Sequence, residues 1–157
     1  MFLSFSGLCE LKRLEVLDIS LNQFEGILPP CLNNLTSLRI LNLHGNLFTG
    51  SISPYLISSP KSLQFIDFSD NDFKGSFLFS SIFNHSKFEV IILGSRQKEL
   101  QIDTEIRGWN PQFQLKALGL SHCNLKSAPT FLLNQHRLKV VDLSHNKLKG
   151  KFPSLIA

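Results

Sequence analysis

The chain has 157 residues, a hydrophobic fraction of 43% and a formal net charge of +4. That much apolar material supplies one continuous core, yet no run of about 20 apolar residues is present that could span a bilayer. Residues Met1 to Leu8 have neither the charged start nor the apolar length of a secretory leader, and the overall length fits one repeat array over residues 1–157 better than two globular domains.

The first unit reads Leu14-Glu15-Val16-Leu17-Asp18-Ile19-Ser20-Leu21-Asn22, and its pattern LxxLxLxxN returns as Leu38 to Asn46, Leu63 to Asn71 and Leu138 to Asn146. The opening apolar position falls at Leu14, Leu38, Leu63, Phe88, Leu115 and Leu138, at intervals of 24, 25, 25, 27 and 23 residues. A unit of this size cannot bury its own apolar face and must stack on its neighbours, which predicts an α/β repeat fold, a leucine-rich-repeat solenoid of about six coils. The alternations Leu17-Asp18-Ile19, Leu41-Asn42-Leu43, Ile66-Asp67-Phe68, Ile91-Ile92-Leu93, Leu118-Gly119-Leu120 and Val141-Asp142-Leu143 predict six half-buried strands. They form one curved parallel sheet on the concave face, roughly 24 Å across at about 4.8 Å per strand, with short helical or 3-10 turns and loops behind.

Asn22, Asn46, Asn71 and Asn146 end strands, where a short amide can bond backbone that has left the ladder. Gly26, Gly50, Gly75 and Gly150 follow four residues later, at positions predicted to need positive φ or close backbone approach. Between them Phe24, Phe48, Phe73, Leu125 and Leu148 point the same way in successive coils, each large side chain contributing about 1.5–3 kcal/mol on burial.

The fourth coil departs from the pattern. Arg96 stands where the strand-ending Asn is due, and burying it would strand a charge, so it is expected to turn outward. Leu100, Ile102, Thr104 and Ile106 then alternate, predicting an extra strand-like excursion, with residues 94–114 as an irregular coil and the loop from Gln97 to Gln114 leaving the regular path. Trp109 sits just beyond, either packed to close the excursion or free to meet a ligand.

Side chains alternating with the buried leucines must line the concave face. That rule selects Val16, Asp18 and Ser20, then Ile40, Asn42 and His44, then Phe65, Asp67 and Ser69. It continues with Val90, Ile92 and Gly94, then Ala117, Gly119 and Ser121, and ends with Val140, Asp142 and Ser144. Such a mixed ribbon suits an extended peptide or a protein flank better than a small molecule, which needs an enclosing pocket. From residue 110 onward seven basic residues face Asp142 alone, a bias that would steer an acidic partner or polyanion, or simply be a solvated face. Nucleic acid is not an expected partner, because the aromatics are committed to the Phe stack and no recognised module occurs.

Cys9 and Cys31 lie about one repeat apart, close enough for a bridge between successive coils; they are either a disulfide, which suits an exported protein, or two small buried apolar residues. Cys123 takes a strand-ending Asn position as a buried thiol. Asn34-Leu35-Thr36 and Asn84-His85-Ser86 are candidate N-glycosylation sites outside the strands. His122 and His145 fall at equivalent positions of adjacent coils, about 5 Å apart, with no carboxylate placed to complete a ligand set, so at most a weak metal or pH response is open to them. No metal, no cofactor and no catalytic residue are expected: phosphate-binding glycine loops, HExxH, GxSxG and a kinase catalytic loop are all missing from the sequence.

The segments Asn22-Gln23-Phe24-Glu25-Gly26-Ile27-Leu28-Pro29 and Asn146-Lys147-Leu148-Lys149-Gly150-Lys151-Phe152-Pro153 resemble the plant extracellular class of leucine-rich repeat. Two longer passages, Leu8 to Lys12 running into Leu28 to Leu32, and Trp109 with Gln114 to Leu125, resemble the receptor-like proteins in particular. The resemblance implies a surface receptor that binds a peptide or protein ligand, signals in defence or development through partner receptor kinases, and meets the membrane only through a span absent from this chain. It also implies a location on the outer face of the plasma membrane and, since full receptors carry cysteine-paired caps, an internal segment uncapped at both ends. The alternative is a secreted inhibitor of cell-wall polygalacturonases, which shares the Gly-x-(Ile/Leu)-Pro repeat, or a truncated product without a function of its own.

Overall fold

A computed structural model describes residues 5–82 and 84–154; the expectations concerning residues 1–4 and 155–157 lie outside the described residues. The strands in chain order are β1 (Val16–Asp18), β2 (Glu25–Ile27), β3 (Ile40–Asn42), β4 (Leu47–Gly50), β5 (Phe65–Asp67), β6 (Asp72–Phe73), β7 (Gly75–Leu78), β8 (Val90–Leu93), β9 (Leu100–Asp103), β10 (Ala117–Leu120) and β11 (Val140–Asp142). Six of them make one sheet in the order β1-β3-β5-β8-β10-β11, every pair parallel and in register, so that Val16, Ile40, Phe65, Val90, Ala117 and Val140 stand side by side. The repeat phase of the sequence is therefore the register of the sheet. Leu41, Ile66, Ile91 and Leu118, the middle residues of successive strands, are all but fully buried, whereas Val141 in the same row is 43% exposed. Each coil is covered by its neighbours, as stacking of units requires.

Behind the sheet the chain returns through α1 (Ser6–Cys9), α2 (Pro54–Ser58) and 3-10 turns at Pro30–Asn34, Phe79–Ile82 and Thr130–Asn134. Pro30 and Pro54 sit in first turns, where a missing N–H costs nothing. On one flank β2, β4 and β6 form a second parallel sheet, and β7 pairs with β9. The sequence pattern does not announce β2 and β7: they include glycine and are mostly exposed, so the apolar alternation that reveals a half-buried strand is missing. The strand-like stretch of the fourth coil is β9, which stays stacked on β7 from Gly75↔Leu100 to Leu78↔Asp103. Residues 100–103 thus keep to the solenoid path rather than leaving it.

Asparagine amides join the coils. Asn46 donates through Nδ2 to the carbonyls of Ile19, Leu43 and His44 while its Oδ1 accepts from Phe24 N–H. Asn71 repeats the arrangement one coil on, with Leu43, Phe68 and Ser69 as acceptors and Phe48 N–H as donor at 3.0 Å. Asn146 does so again with Leu120, Leu143 and Ser144, and accepts from both Cys123 and Leu125. In the fourth coil the residue opposite Asn71 is Ser95 and not Arg96, a shift of one residue from the sequence register. Arg96 turns outward, its guanidinium 3.3 Å from Asp72 and 2.6 Å from the Asn46 carbonyl. In the fifth coil the Cys123 thiol fills the place, donating to the Leu93 and Ser121 carbonyls; burial pushes its pKa up to about 12.

The phenylalanine stack forms, with Phe24, Phe48 and Phe73 rings 6.2 and 6.4 Å apart and nearly parallel. A second aromatic group closes the fourth coil: Trp109 meets Phe131 at 5.2 Å, Phe113 at 5.9 Å and Phe79 at 6.3 Å, which is the packing role. Gly26, Gly50, Gly75 and Gly150 have positive φ. Of the two readings of Cys9 and Cys31 the structure has the disulfide, with Cα atoms 5.6 Å apart, tying α1 to the turn at Pro30–Asn34. Closing a loop of this length is worth about 3 kcal/mol.

His85 is 1% exposed and packs on Phe88 at 4.7 Å. It takes the repeat position held two coils earlier by the fully buried Leu35. Desolvation, and then Lys61, lower its pKa below 6.5, opposed by the Ile57 and Ser58 carbonyls. The folded state therefore binds its proton less readily than the unfolded chain, so this stability is present above about pH 6.5 and is lost as pH falls. His85→Leu is expected to raise stability at pH 5 and to flatten its decline between pH 7 and pH 5, measured by urea unfolding; an unchanged pH slope would contradict the assignment. In the same assay Asn71→Ala should lose about 3 kcal/mol by leaving buried backbone groups unpaired, while Asn22→Ala, exposed and bonded among the described residues to the Ile19 and Ser20 carbonyls, should change stability by less than about 0.5 kcal/mol.

Candidate binding surface

The concave face presents three lengthwise rows. The first is apolar, Val16, Ile40, Phe65, Val90, Ala117 and Val140, and every member is at least partly exposed. The second runs Asp18, Asn42, Asp67, Ile92, Gly119 and Asp142, and the third Ser20, His44, Ser69, Gly94, Ser121 and Ser144. All are partly or fully exposed except Gly94 and Gly119, which are buried. Period-2 alternation in a sheet covered on one side accounts for this, since residues between the buried ones have nowhere to point but outward.

The polar rows are held by local bonds. The Asp18 carboxylate accepts from Ser20 Oγ at 2.6 Å and Ser20 N at 3.0 Å, and Asp67 accepts from Ser69 at 2.6 and 2.9 Å. Between coils, Asn42 Nδ2 donates to Asp18 at 3.2 Å, His44 Nδ1 lies 3.0 Å from Ser69 Oγ, and Ser144 Oγ donates to Ser121 Oγ at 3.2 Å. Hydrogen bonds from Ser20 chiefly lower the Asp18 pKa, and Ser144 does the same for Asp142, helped by His145 and His122. These carboxylates stay ionised in mild acid. His122 and His145 stack with ring centres 4.4 Å apart and planes 13° from parallel, and among the described residues no group of three or more His, Cys, Asp or Glu side chains converges to hold a metal.

Sequence reasoning missed a fourth row, one residue before the apolar one. Arg39 bridges Glu15 at 3.3 Å and reaches Gln64, and Lys116 bridges Glu89 at 2.6 Å, lowering the Glu89 pKa. The signal was available at the second position of each unit. Pairs this exposed add little stability but edge the face with charge. Also missed was Asp70 as a rim residue; it and the histidine pair His122 and His145, which the sequence places on adjacent coils, have φ near +55° where the strand turns away.

Two leucine-rich-repeat family models match residues 12–73 and 137–157. Receptor-like protein 1 of Arabidopsis thaliana is 44% identical over 151 residues, which cover 96% of this chain and 14% of that protein. Cuscuta receptor 1 of Solanum lycopersicum is 41% identical over 150 residues, 94% of this chain and 13% of that protein. Among solved structures, the Arabidopsis receptor kinase HAESA in complex with the peptide hormone IDA and the co-receptor SERK1 is similar with a TM-score of 0.74 and 26% identity, over 93% of this chain and 24% of that one. The fold is that of a leucine-rich-repeat solenoid with an open concave ribbon. The chain belongs to the leucine-rich-repeat family and is a segment of the plant receptor-like-protein type. It spans about one seventh of the length of the curated relatives it matches, 13–14%. Among the described residues no helix is long and apolar enough to cross a membrane.

Proposed function

We propose that the chain is a ligand-binding stretch of the extracellular part of a plant cell-surface receptor-like protein, acting in defence or developmental signalling. The observation that carries this is the in-register ribbon, free of covering structure among the described residues, on a chain 44% identical to a receptor-like protein. Its partners in this reading are a peptide or protein ligand on the concave face and receptor kinases beside it; the similar solved structure holds a peptide hormone and a co-receptor. The chain acts by binding and has no catalytic step. The disulfide between Cys9 and Cys31 supports passage through an oxidising compartment.

In the gene that carries this segment, replacing Phe65, Asp67 and Val90 together by Ala should abolish the ligand-triggered response in leaves while leaving receptor accumulation unchanged. An intact response would overturn the concave-face reading.

The same reading places N-glycans at Asn34 and Asn84. Both asparagines and their partners Thr36 and Ser86 are exposed, and they occupy the same repeat position two coils apart, away from the concave rows. After secretion from plant cells, enzymatic deglycosylation should shift the band, and Asn34→Gln and Asn84→Gln should each remove one increment. A single band unmoved by the enzyme would refute the assignment.

A further inference from the structure

Three features of the array change at the fourth and fifth coils. The asparagine ladder of Asn46, Asn71 and Asn146 gives way to Ser95 and Cys123, the polar row of Asp18, Asn42 and Asp67 to Ile92 and Gly119, and the row of Ser20, His44 and Ser69 to Gly94 in the fourth coil. At that intersection the concave face opens into a hollow of about 500 Å3. Gly94 and Gly119 line it beside Ile92. A side chain at Gly94 would meet the Ser121 carbonyl oxygen at 2.6 Å, and one at Gly119 would meet Ile92 Cγ2 at 3.1 Å.

Ser95 lines this hollow, is 3% exposed, and has an Oγ without a hydrogen-bond partner among the described residues. A buried hydroxyl left unbonded is destabilising, and here it is explained if a ligand completes it. The charges on the walls indicate which kind. Arg96 is engaged by Asp72 and the Asn46 carbonyl, so the full charges left on the hollow are the carboxylates of Asp70, 3.9 Å from His44 Nδ1, and Asp142. The hollow thus carries two carboxylates against one guanidinium that is already paired, within a chain of net charge +4. Asp70 belongs to the third coil and Asp142 to the sixth, three strand spacings or about 14 Å apart along the array and about 10 Å apart along the strand direction. An extended peptide crossing the ribbon obliquely covers about 14 Å in four residues and returns its side chains to the same face, and long cationic side chains reach the remaining few ångströms.

We propose that the hollow binds an extended peptide segment with basic residues four apart, one cation meeting Asp70 and the other Asp142, its backbone lying over Gly94 and Gly119 and bonding the Ser95 hydroxyl. This rests on the concave face being the docking surface and goes beyond it by assigning the chemistry of the ligand.

The test is an NMR titration of the full chain with two capped pentapeptides, Arg-Ala-Ser-Ala-Arg and Glu-Ala-Ser-Ala-Glu, reading the backbone amides of Gly94, Ser95, Gly119 and Ser121. The arginine peptide should shift these amides saturably and the glutamate peptide should not. Asp70→Asn, at a positive φ that Asn tolerates, and Asp142→Asn, on the exposed strand, should each weaken binding about tenfold. Ser95→Ala should weaken it as well while raising Tm by about 2–4 °C, the opposite of what a serine kept for stability would do. Equal shifts with the glutamate peptide, no shifts at these amides, or undiminished affinity in both Asn variants would overturn the proposal. If the arginine peptide shifts only concave amides outside the hollow, or the leaf assay above shows the ribbon is required while these amides stay still, the hollow assignment fails and the ribbon reading stands; failure in both assays removes the two together.

Discussion

A parallel coil has to turn its backbone out of the sheet once per unit, and at each turn carbonyls and amides lose their ladder partners inside an apolar stack. The asparagine amide resolves this by serving two coils at once, donating to carbonyls on both and accepting a main-chain N–H of the coil before, as Asn46 and Asn71 do. A buried polar group is tolerated only when its bonds are made, and an amide has the donors and acceptor for this where a hydroxyl or thiol does not. Because one side chain satisfies the turn, the coil can stay short. A short coil keeps its strand in register with the next, and the concave ribbon follows from that register.

The parts of the molecule governed by this repetition were legible before any coordinates. The phase of Leu14, Leu38, Leu63, Phe88, Leu115 and Leu138 carried over directly into the pairing of six strands, because a one-residue slip would move every buried side chain to the solvent face. The residues of the ribbon were legible for the same reason. What escaped the sequence lacks that forcing. β2 has all three residues exposed, so no burial pattern marks it. At the fourth coil the eighth position after Phe88 is Arg96, yet the ladder place goes to Ser95, because slipping by one residue lets the guanidinium reach Asp72 instead of the core. Counting positions cannot anticipate a slip whose cause is the charge of the residue counted. Asp70 at the rim escaped because it lies beyond its strand, where periodicity carries no information about direction, whereas the repeat alone placed His122 beside His145.

The charge bias of the C-terminal half also reads differently in three dimensions. Seven basic residues follow position 110, but Lys116 is bridged to Glu89, and none of the seven lines the hollow, whose lining includes Asp70, Asp142 and Arg96. A net count along the chain describes the long-range field that steers encounter. The charges on the concave face are set by which side chains alternate onto the ribbon, and its three rows carry Asp18, Asp67 and Asp142 with no lysine or arginine.

A solenoid is close to one-dimensional: each coil contacts chiefly its neighbours, and its stability is approximately a sum of local terms. In a globular core, replacing two bridging asparagines by a serine and a cysteine would be felt throughout. Here the loss is confined to the interfaces around the fourth and fifth coils, and compensation is available on the spot, from the Cys123 thiol bonding two carbonyls, from Arg96 joining Asn46 to Asp72, and from the aromatic group of Phe79, Trp109, Phe113 and Phe131 behind them. Regular coils on either side hold the register while these two depart from it. An irregularity that would unfold a compact domain becomes, in a stack, a way to shape one stretch of the ribbon independently of the rest.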